Sequence, residues 1–268
     1  GAKIALQINH AGRRGTKFII GRPPVAPSAV RNPITGEDPK PLTGSEIERL
    51  IEAFGAAARR AMQAGFDGVQ IHCAHGYLAN QFLSPFTNRR RDYWGGSAEG
   101  RRRFLLELYD NIRRVVGPGY PVMLKINASD YMENGLTVEE SIEAVRILCD
   151  RGLDAVEISG GTSESDIIPS VRDITEETDE AYFHQDARAY KKAIQVPLML
   201  VGGLRTPSLM ERIVKSGDAD MISLCRPLIR EPDLVRRWLQ GDRTKATCIS
   251  CSGCQKFQNE PVRCILQK

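Results

Sequence analysis

The sequence predicts an α/β fold in which parallel strands alternate with helices around a (β/α) barrel. Short apolar and β-branched runs recur along the chain, and a helical pattern with its own start and stop signals follows each of them. Polar residues stand at the end of every run, a pattern that is typical of the carboxyl-end face of a barrel. No G-x-G-x-x-G motif follows the opening strand, which argues against a doubly wound dinucleotide fold.

Six buried parallel strands are predicted, because the runs are continuously apolar instead of alternating. They occupy residues 4–8, the first half of 68–77, 121–127, 155–159, 197–201 and 221–225. Helices are predicted from capping signals and apolar faces, such as the Thr43–Glu46 capping box that precedes an apolar face ending at Gly65. The helices cover residues 43–65, 97–117, 137–152, 187–194, 206–217 and 232–238. A long Pro-rich segment up to Pro41 shows no helical periodicity, and loops of this length are uncommon unless they cover a site.

Composition indicates an ordinary globular protein with one sizeable core. The chain has 268 residues, of which 41% are hydrophobic and 26% charged, and its net charge is +4. We expect a partial barrel over residues 1–241 and a Cys-rich tail over 242–268. No apolar run approaches the ~18 residues of a membrane span and no leader is evident, so we expect a cytoplasmic protein. The Arg runs are interrupted by acidic and aromatic residues, which makes nucleic-acid binding a weak hypothesis.

Three polar rings, His72, His75 and Tyr77, follow the second strand within six residues. Their spacing places two imidazoles and a phenol at one strand end, where catalytic residues of α/β barrels lie. The alternative is that each is a satisfied core residue. Lys125 in the middle of the third strand is costly to bury unless it meets an anion or pairs with a carboxylate from a neighbouring strand.

The turns after the last two strands predict a phosphate site. Gly202 and Gly203 allow close backbone approach to phosphate oxygens, and Arg226 can bind those oxygens bidentately. A Gly pair alone can be an ordinary tight turn. Its combination with an Arg one unit later in a barrel favours phosphate.

At these positions the sequence resembles the old yellow enzyme family of NADH:flavin oxidoreductases, from Ile4 to about Trp238. It is most similar to the branch that includes bacterial 2,4-dienoyl-CoA reductase and trimethylamine dehydrogenase. The residues that carry the resemblance are 7–13, 72–78, 81–85, 88–90, Asp92, 95–97, 201–203 and 226–228.

The resemblance implies FMN over the barrel mouth, NAD(P)H as the electron donor and a small-molecule enone as substrate. Gln7 and Lys125 would contact the flavin pyrimidine edge, while Gly202, Gly203, Cys225 and Arg226 would hold its phosphate. His72 and His75 would bind the substrate carbonyl, Tyr77 would protonate the α carbon, and Arg13 would border the substrate opening.

Two departures from the family pattern stand out. The resemblance implies a (β/α)8 TIM-type barrel with eight strands, whereas about six units are found here, so two N-terminal units have no counterpart. We therefore expect two open sheet edges, association into a homo-oligomer, and weakened hold on FMN. Cys225 stands where a Gly is usual, and its side chain is expected to be tolerated.

The seven cysteines favour reduced thiols or a metal site over disulfides. Cys248, Cys251, Cys254 and Cys264 have the spacing C-x2-C-x2-C-x9-C, which suits a [4Fe–4S] cluster or zinc and is also compatible with free thiols.

For the whole chain, three hypotheses remain open: an ene-type reductase, an FMN barrel acting on amines or RNA, and a non-catalytic barrel fragment held together by association.

Overall fold

Six parallel strands form the main sheet, and they are hydrogen-bonded in the order in which the chain produces them, β1-β4-β5-β6-β7-β8. The computed structural model describes residues 1–170, 174–256 and 261–266. The strands are β1 Ala5–Ile8, β2 Val25–Ala26, β3 Lys40–Pro41, β4 Gly68–Cys73, β5 Val122–Asn127, β6 Ala155–Ser159, β7 Leu198–Leu200 and β8 Met221–Ile222. The small β2 and β3 strands pair with each other in the Pro-rich segment.

Nine α-helices lie within the described residues. They are α1 Lys17–Ile20, α2 Gly44–Gln63, α3 Leu78–Leu83, α4 Ala98–Val116, α5 Val138–Asp150, α6 His184–Ala193, α7 Pro207–Lys215, α8 Arg226–Arg230 and α9 Leu234–Leu239. Short 3-10 helices cover Gly12–Arg14, Glu177–Asp179 and Gly253–Lys256. Among these residues, no helix has the length and apolar character needed to cross a membrane.

The predicted starts of α2, α4 and α5 are confirmed at atomic detail. Thr43 accepts the backbone N–H of Glu46 while the Glu46 carboxylate accepts that of Thr43, which completes the capping box. Ser97 and Thr137 cap α4 and α5 through their hydroxyl groups alone, which accept the backbone N–H groups of Gly100 and Glu140. The apolar face of α2 is buried against the sheet and α4, so this helix is held mainly by packing.

Three short helices, α1, α3 and α8, lie where the sequence predicted no helix. All six residues of α3 are buried, so the segment has no polar face and shows no amphipathic period. α1 lies within the Pro-rich segment. β8 ends at Ile222 instead of reaching Cys225, because α8 begins at Arg226, with Pro227 in its first turn and Cys225 as its N-cap residue.

Strands β1 and β8 lie at the two edges of the sheet, as predicted for a partial barrel. Sequential parallel neighbours joined through helices are the connectivity of a (β/α) barrel, and all six strands direct their carboxyl ends to the same face. Leu6 on β1 is 36% exposed and Met221 on β8 is 43% exposed, although both belong to apolar runs. The fold therefore confirms the barrel type with six of its strands.

Candidate active site

His72 is held at the end of β4 in a defined tautomer. Its Nδ1 accepts the backbone N–H of Ala74 at 3.3 Å, so Nε2 carries the proton of the neutral ring. Burial, with a smaller contribution from the nearby Lys125 ammonium, lowers the pKa of His72 to about 4. The ring is therefore an uncharged N–H donor at neutral pH.

His75 has a strained backbone that the surrounding polar groups hold in place. Its φ is +60°, in the left-handed region, and its N–H donates to Oδ1 of Asn127 at 2.9 Å. Its Nε2 lies 2.6 Å from Oγ of Ser159 at the end of β6. Burial lowers the pKa of His75 well below the ordinary histidine value, so this imidazole is also neutral.

Tyr77 completes the cluster that the sequence predicted. Its ring meets that of His72 edge-on at 4.9 Å, and the rings of His72 and His75 are perpendicular at 5.2 Å. The guanidinium of Arg14 lies 4.7 Å from the centre of the Tyr77 ring. The two imidazoles and the phenol thus form one cluster at the end of β4.

A line of polar side chains crosses the inner face of the sheet below this cluster. Gln7 on β1 donates to Gln70 at 2.7 Å, and Gln70 donates to Glu157 at 3.0 Å. Lys125 forms an ion pair with Glu157 at 2.7 Å. The sequence left open whether Lys125 meets an anion or pairs with a carboxylate from a neighbouring strand. The structure shows the carboxylate, which belongs to Glu157. Lys125 also lines the main cavity. Gln70 and Glu157 were not predicted.

The Gly202–Gly203 turn lies at the other end of that cavity. Gly203 has φ +67°, and a Cβ there would lie 2.2 Å from Cδ1 of Ile174, so a larger residue would strain the turn. Gly202 has φ +135° and packs against Tyr182 and Phe183. Gly203 lines the cavity together with Cys225 and Arg226, as predicted from their positions after β7 and β8.

One cavity of about 710 Å³ contains both ends of the site. This volume lies within the range of small-molecule and cofactor pockets. Its walls carry four basic side chains, Arg14, Lys125, Arg205 and Arg226, and no carboxylate among the described residues that line it. The cavity therefore favours anionic groups.

Comparison with known proteins agrees with this arrangement. Residues 1–245 match the NADH:flavin oxidoreductase / NADH oxidase family. The chain belongs to this family. FMN is the family's cofactor and NAD(P)H its electron donor. The predicted resemblance to old yellow enzymes and the barrel type are both confirmed.

Three relatives illustrate the match. NADH oxidase of Thermoanaerobacter brockii is 40% identical over 99% of this chain and 41% of its own length. A 2-naphthoyl-CoA reductase structure matches with a TM-score of 0.81 and 34% identity, over 90% of this chain and 39% of that one. An old yellow enzyme homologue from Zymomonas mobilis matches with a TM-score of 0.76 and 30% identity, over 91% and 69%. The chain thus spans about two fifths of the NADH oxidase.

Arg205 supports the fit of this flavoprotein cavity to a phosphate. It is 4% exposed, its Nη1 donates to the carbonyl of Cys248 at 3.0 Å, and its Nε lies 3.7 Å from Oε1 of the buried Glu180 in an ion pair. Neither Nε nor Nη2 has a hydrogen-bond partner among the described residues. Buried donors without a hydrogen bond are costly, and an anion beside Gly203 and Arg226 would offset the part of that cost that Glu180 leaves. Sequence reasoning missed Arg205, because an Arg two residues after a Gly pair is a weak signal without its contacts.

Arg13 occupies a different place from the one the sequence indicated. It is 3% exposed, donates to the carbonyls of Val30 and Arg31, and forms an ion pair with Glu164. Burial lowers its pKa to about 10, so it stays charged. The hydrogen bonds of Arg13 therefore stabilise the Pro-rich segment. Its neighbour Arg14 lines the main cavity.

The four tail cysteines, Cys248, Cys251, Cys254 and Cys264, line a single small void of about 20 Å³. Within the described residues, no three His, Cys, Asp or Glu side chains are close enough to hold a metal ion. The void is about the size of one water, so a [4Fe–4S] cluster fits only if the loop expands. All seven cysteines of the chain are free thiols.

Proposed function

We propose that this chain carries the catalytic centre of an FMN-dependent reductase that uses NAD(P)H to reduce the C=C bond of α,β-unsaturated carbonyl compounds. The observation that carries the proposal is the common cavity. His75 and Tyr77 line one end of it and Gly203 and Arg226 the other. A flavin with its phosphate at the second end would extend its ring system towards the first.

The chain's own residues would hold the cofactor at two points. Gly202, Gly203, Cys225 and Arg226 would bind the phosphate, and Arg205 would add a further guanidinium to that group. Gln7 and Lys125 would lie along the pyrimidine edge, where the Lys125 ammonium favours negative charge on the ring. The ion pair with Glu157 keeps that ammonium oriented but reduces its field.

The two imidazoles would polarise the substrate carbonyl. His72 presents Nε2–H because its Nδ1 is occupied, and the low pKa values keep both rings as neutral donors. A neutral donor strengthens its hydrogen bond as negative charge develops on the carbonyl oxygen, without releasing its proton to it. His72 and His75 thus stabilise the enolate-like transition state.

Tyr77 would supply the proton. Bound FMN, once reduced, supplies the hydride that the β carbon receives. The Tyr77 hydroxyl is positioned by the His72 ring and the Arg14 guanidinium, and it would transfer its proton to the α carbon. The phenol then recovers a proton from solvent.

Amine oxidation, the second activity that the branch resemblance raises, has less support. An ammonium substrate needs a carboxylate or an aromatic cage to bind. The described cavity wall has four basic side chains and no acidic one, so it repels such a substrate.

The test separates the two half-reactions in anaerobic stopped-flow experiments on the FMN-loaded chain. NADPH or NADH should bleach the flavin, and 2-cyclohexenone should then restore its colour at a rate that increases with enone concentration. The proposal would be overturned if NAD(P)H reduces the flavin but the enone reoxidises it no faster than buffer alone does. Methylamine, added to the oxidised flavin, should leave the spectrum unchanged.

A further inference from the structure

Arg14 lies beside His75 and Tyr77 in the proposed substrate site. It is the last residue of the 3-10 helix Gly12–Arg14, is partly buried and lines the main cavity. Its Nη1 donates to the carbonyl of His75 at 2.5 Å, and its guanidinium lies 4.7 Å from the centre of the Tyr77 ring. The cation therefore touches both a carbonyl-binding residue and the proton donor.

The remaining donors of Arg14 are uncommitted. A guanidinium has five N–H donors, and the His75 carbonyl accepts the only hydrogen bond that the Arg14 side chain donates within the described residues. Arg13, its neighbour, is neutralised by Glu164. Arg14 has no such carboxylate, and none lines the cavity among the described residues. A partly buried, unneutralised guanidinium beside reacting groups calls for an anion from the substrate.

We propose that Arg14 is a specificity-determining residue and that it selects substrates in which the activating group is a carboxylate, that is, α,β-unsaturated carboxylates. This inference rests on the proposed ene reduction. The planar fork of Arg14 matches the two oxygens of a carboxylate, and His72 and His75 would share those oxygens. A ligand bound in this way has its α carbon next to Tyr77.

The charge balance explains why an arginine is needed for this class. When the β carbon of an enoate receives hydride, the C=C electron pair moves towards a carboxylate that is already negative. Two neutral imidazoles offset that second charge less well than a cation does. The α carbon then takes the Tyr77 proton, so one C–H bond forms at each carbon and the π bond is lost. The reduced flavin is oxidised by one electron pair, which NAD(P)H replaces.

The experiment compares trans-2-hexenoate with trans-2-hexenal, which differ only in the activating group. In Arg14→Gln the ratio of kcat/KM for hexenoate to that for hexenal should fall roughly 10- to 100-fold, the effect of one charge-assisted hydrogen-bonding group. Any loss from a displaced Tyr77 or His75 affects both substrates and cancels in the ratio. Arg14→Lys, which keeps the charge but not the fork, should give an intermediate ratio.

A binding measurement supports the kinetic one. Hexanoate should perturb the absorbance of the oxidised flavin, and its Kd should rise roughly 10-fold or more in Arg14→Gln. Arg59→Gln removes an exposed arginine of α2 with the same change in net charge, and it should leave the ratio and the Kd unchanged.

The outcomes distinguish a failure of the proposed role of Arg14 from a failure of the proposed ene reduction. If the wild type reduces hexenal but Arg14→Gln and Arg14→Lys leave the substrate ratio unmoved, the role of Arg14 is overturned and the ene reductase remains. If the reduced wild-type flavin transfers hydride to neither compound, the proposed function fails as well. Because the two variants are judged by the same ratio, one misfolded variant still leaves a decisive test.

Discussion

The two ends of the main cavity differ in the charge of the side chains that form them. At the β4 end, burial keeps His72 and His75 neutral, and each ring is tied to a neighbouring backbone or hydroxyl group. At the end formed after β7 and β8, Arg205 and Arg226 place cations beside a glycine turn. Neutral donors suit a charge that develops during a reaction, and fixed cations suit a charge that is permanent. We therefore propose that the cavity is divided into a reacting end around His75 and Tyr77 and an anchoring end beside Gly203 and Arg226.

The largest effect should come from the reacting end. Tyr77→Phe removes the proposed proton donor but keeps the ring that packs against His72, so turnover of an enone should fall by roughly 10²- to 10⁴-fold. Flavin reduction by NAD(P)H and FMN affinity should stay near the wild-type values, which stopped-flow traces and flavin fluorescence would measure. Reoxidation by the enone at the wild-type rate in this variant would remove Tyr77 from the mechanism.

The neutrality of the imidazoles predicts a pH-dependent stability. The folded pKa of His72, about 4, lies below the ordinary value of 6.5. The unfolded chain therefore binds a proton more readily, and the native state loses stability as pH falls from about 6.5 to about 4. For this one group the loss amounts to roughly 3 kcal/mol.

The variant His72→Gln isolates that contribution from all other titrating groups. Urea unfolding at about pH 7 and about pH 4 should show that the wild type loses roughly 2–3 kcal/mol more than the variant between these values. Equal losses in the two proteins would mean that His72 titrates normally, and the neutral-donor argument would then fail.

At the anchoring end the expected effect is smaller and selective. Arg226→Met should weaken FMN binding by roughly 10- to 100-fold, because it removes charge-assisted hydrogen bonds to the phosphate. Riboflavin, which lacks the phosphate, should bind the variant and the wild type equally. Arg236→Met on the exposed side of α9 serves as the matched control. Equal weakening for riboflavin would show that Arg226 acts through the tail loop, where it donates to Ser250 and Ser252.

The comparison also shows what the sequence could predict. Most strand ends, the caps of α2, α4 and α5 and the cluster around Tyr77 depend on local spacing, so the pattern alone indicates them. The end of β8 at Ile222 is an exception, because α8 begins at Arg226. Arg205 and Glu157 depend on partners such as Cys248 and Gln70, which are distant in sequence. The same holds for the adjacent Arg13 and Arg14, since only the position of Glu164 decides which of the two is neutralised.

The smallest effect concerns Cys225, which lines the anchoring end of the cavity. Its φ of −129° lies outside the left-handed region, so the backbone does not require glycine there. Cys225→Gly should therefore change FMN affinity by less than about 3-fold, since the backbone N–H groups stay where they are. It should also lower the free energy of unfolding by about 0.5–1 kcal/mol, because the unfolded chain gains freedom.

Flavin titration and urea unfolding of Cys225→Gly measure both quantities, and Cys225→Ser separates side-chain volume from backbone freedom. If the Cys225 thiol crowds the phosphate, the glycine variant should bind FMN at least about 10-fold more tightly, which is about 1.4 kcal/mol. That outcome would place the thiol in the phosphate site, and the anchoring end would then be adapted to weaker cofactor binding. An unchanged affinity would instead leave the guanidinium groups and the glycine turn as the determinants of phosphate binding.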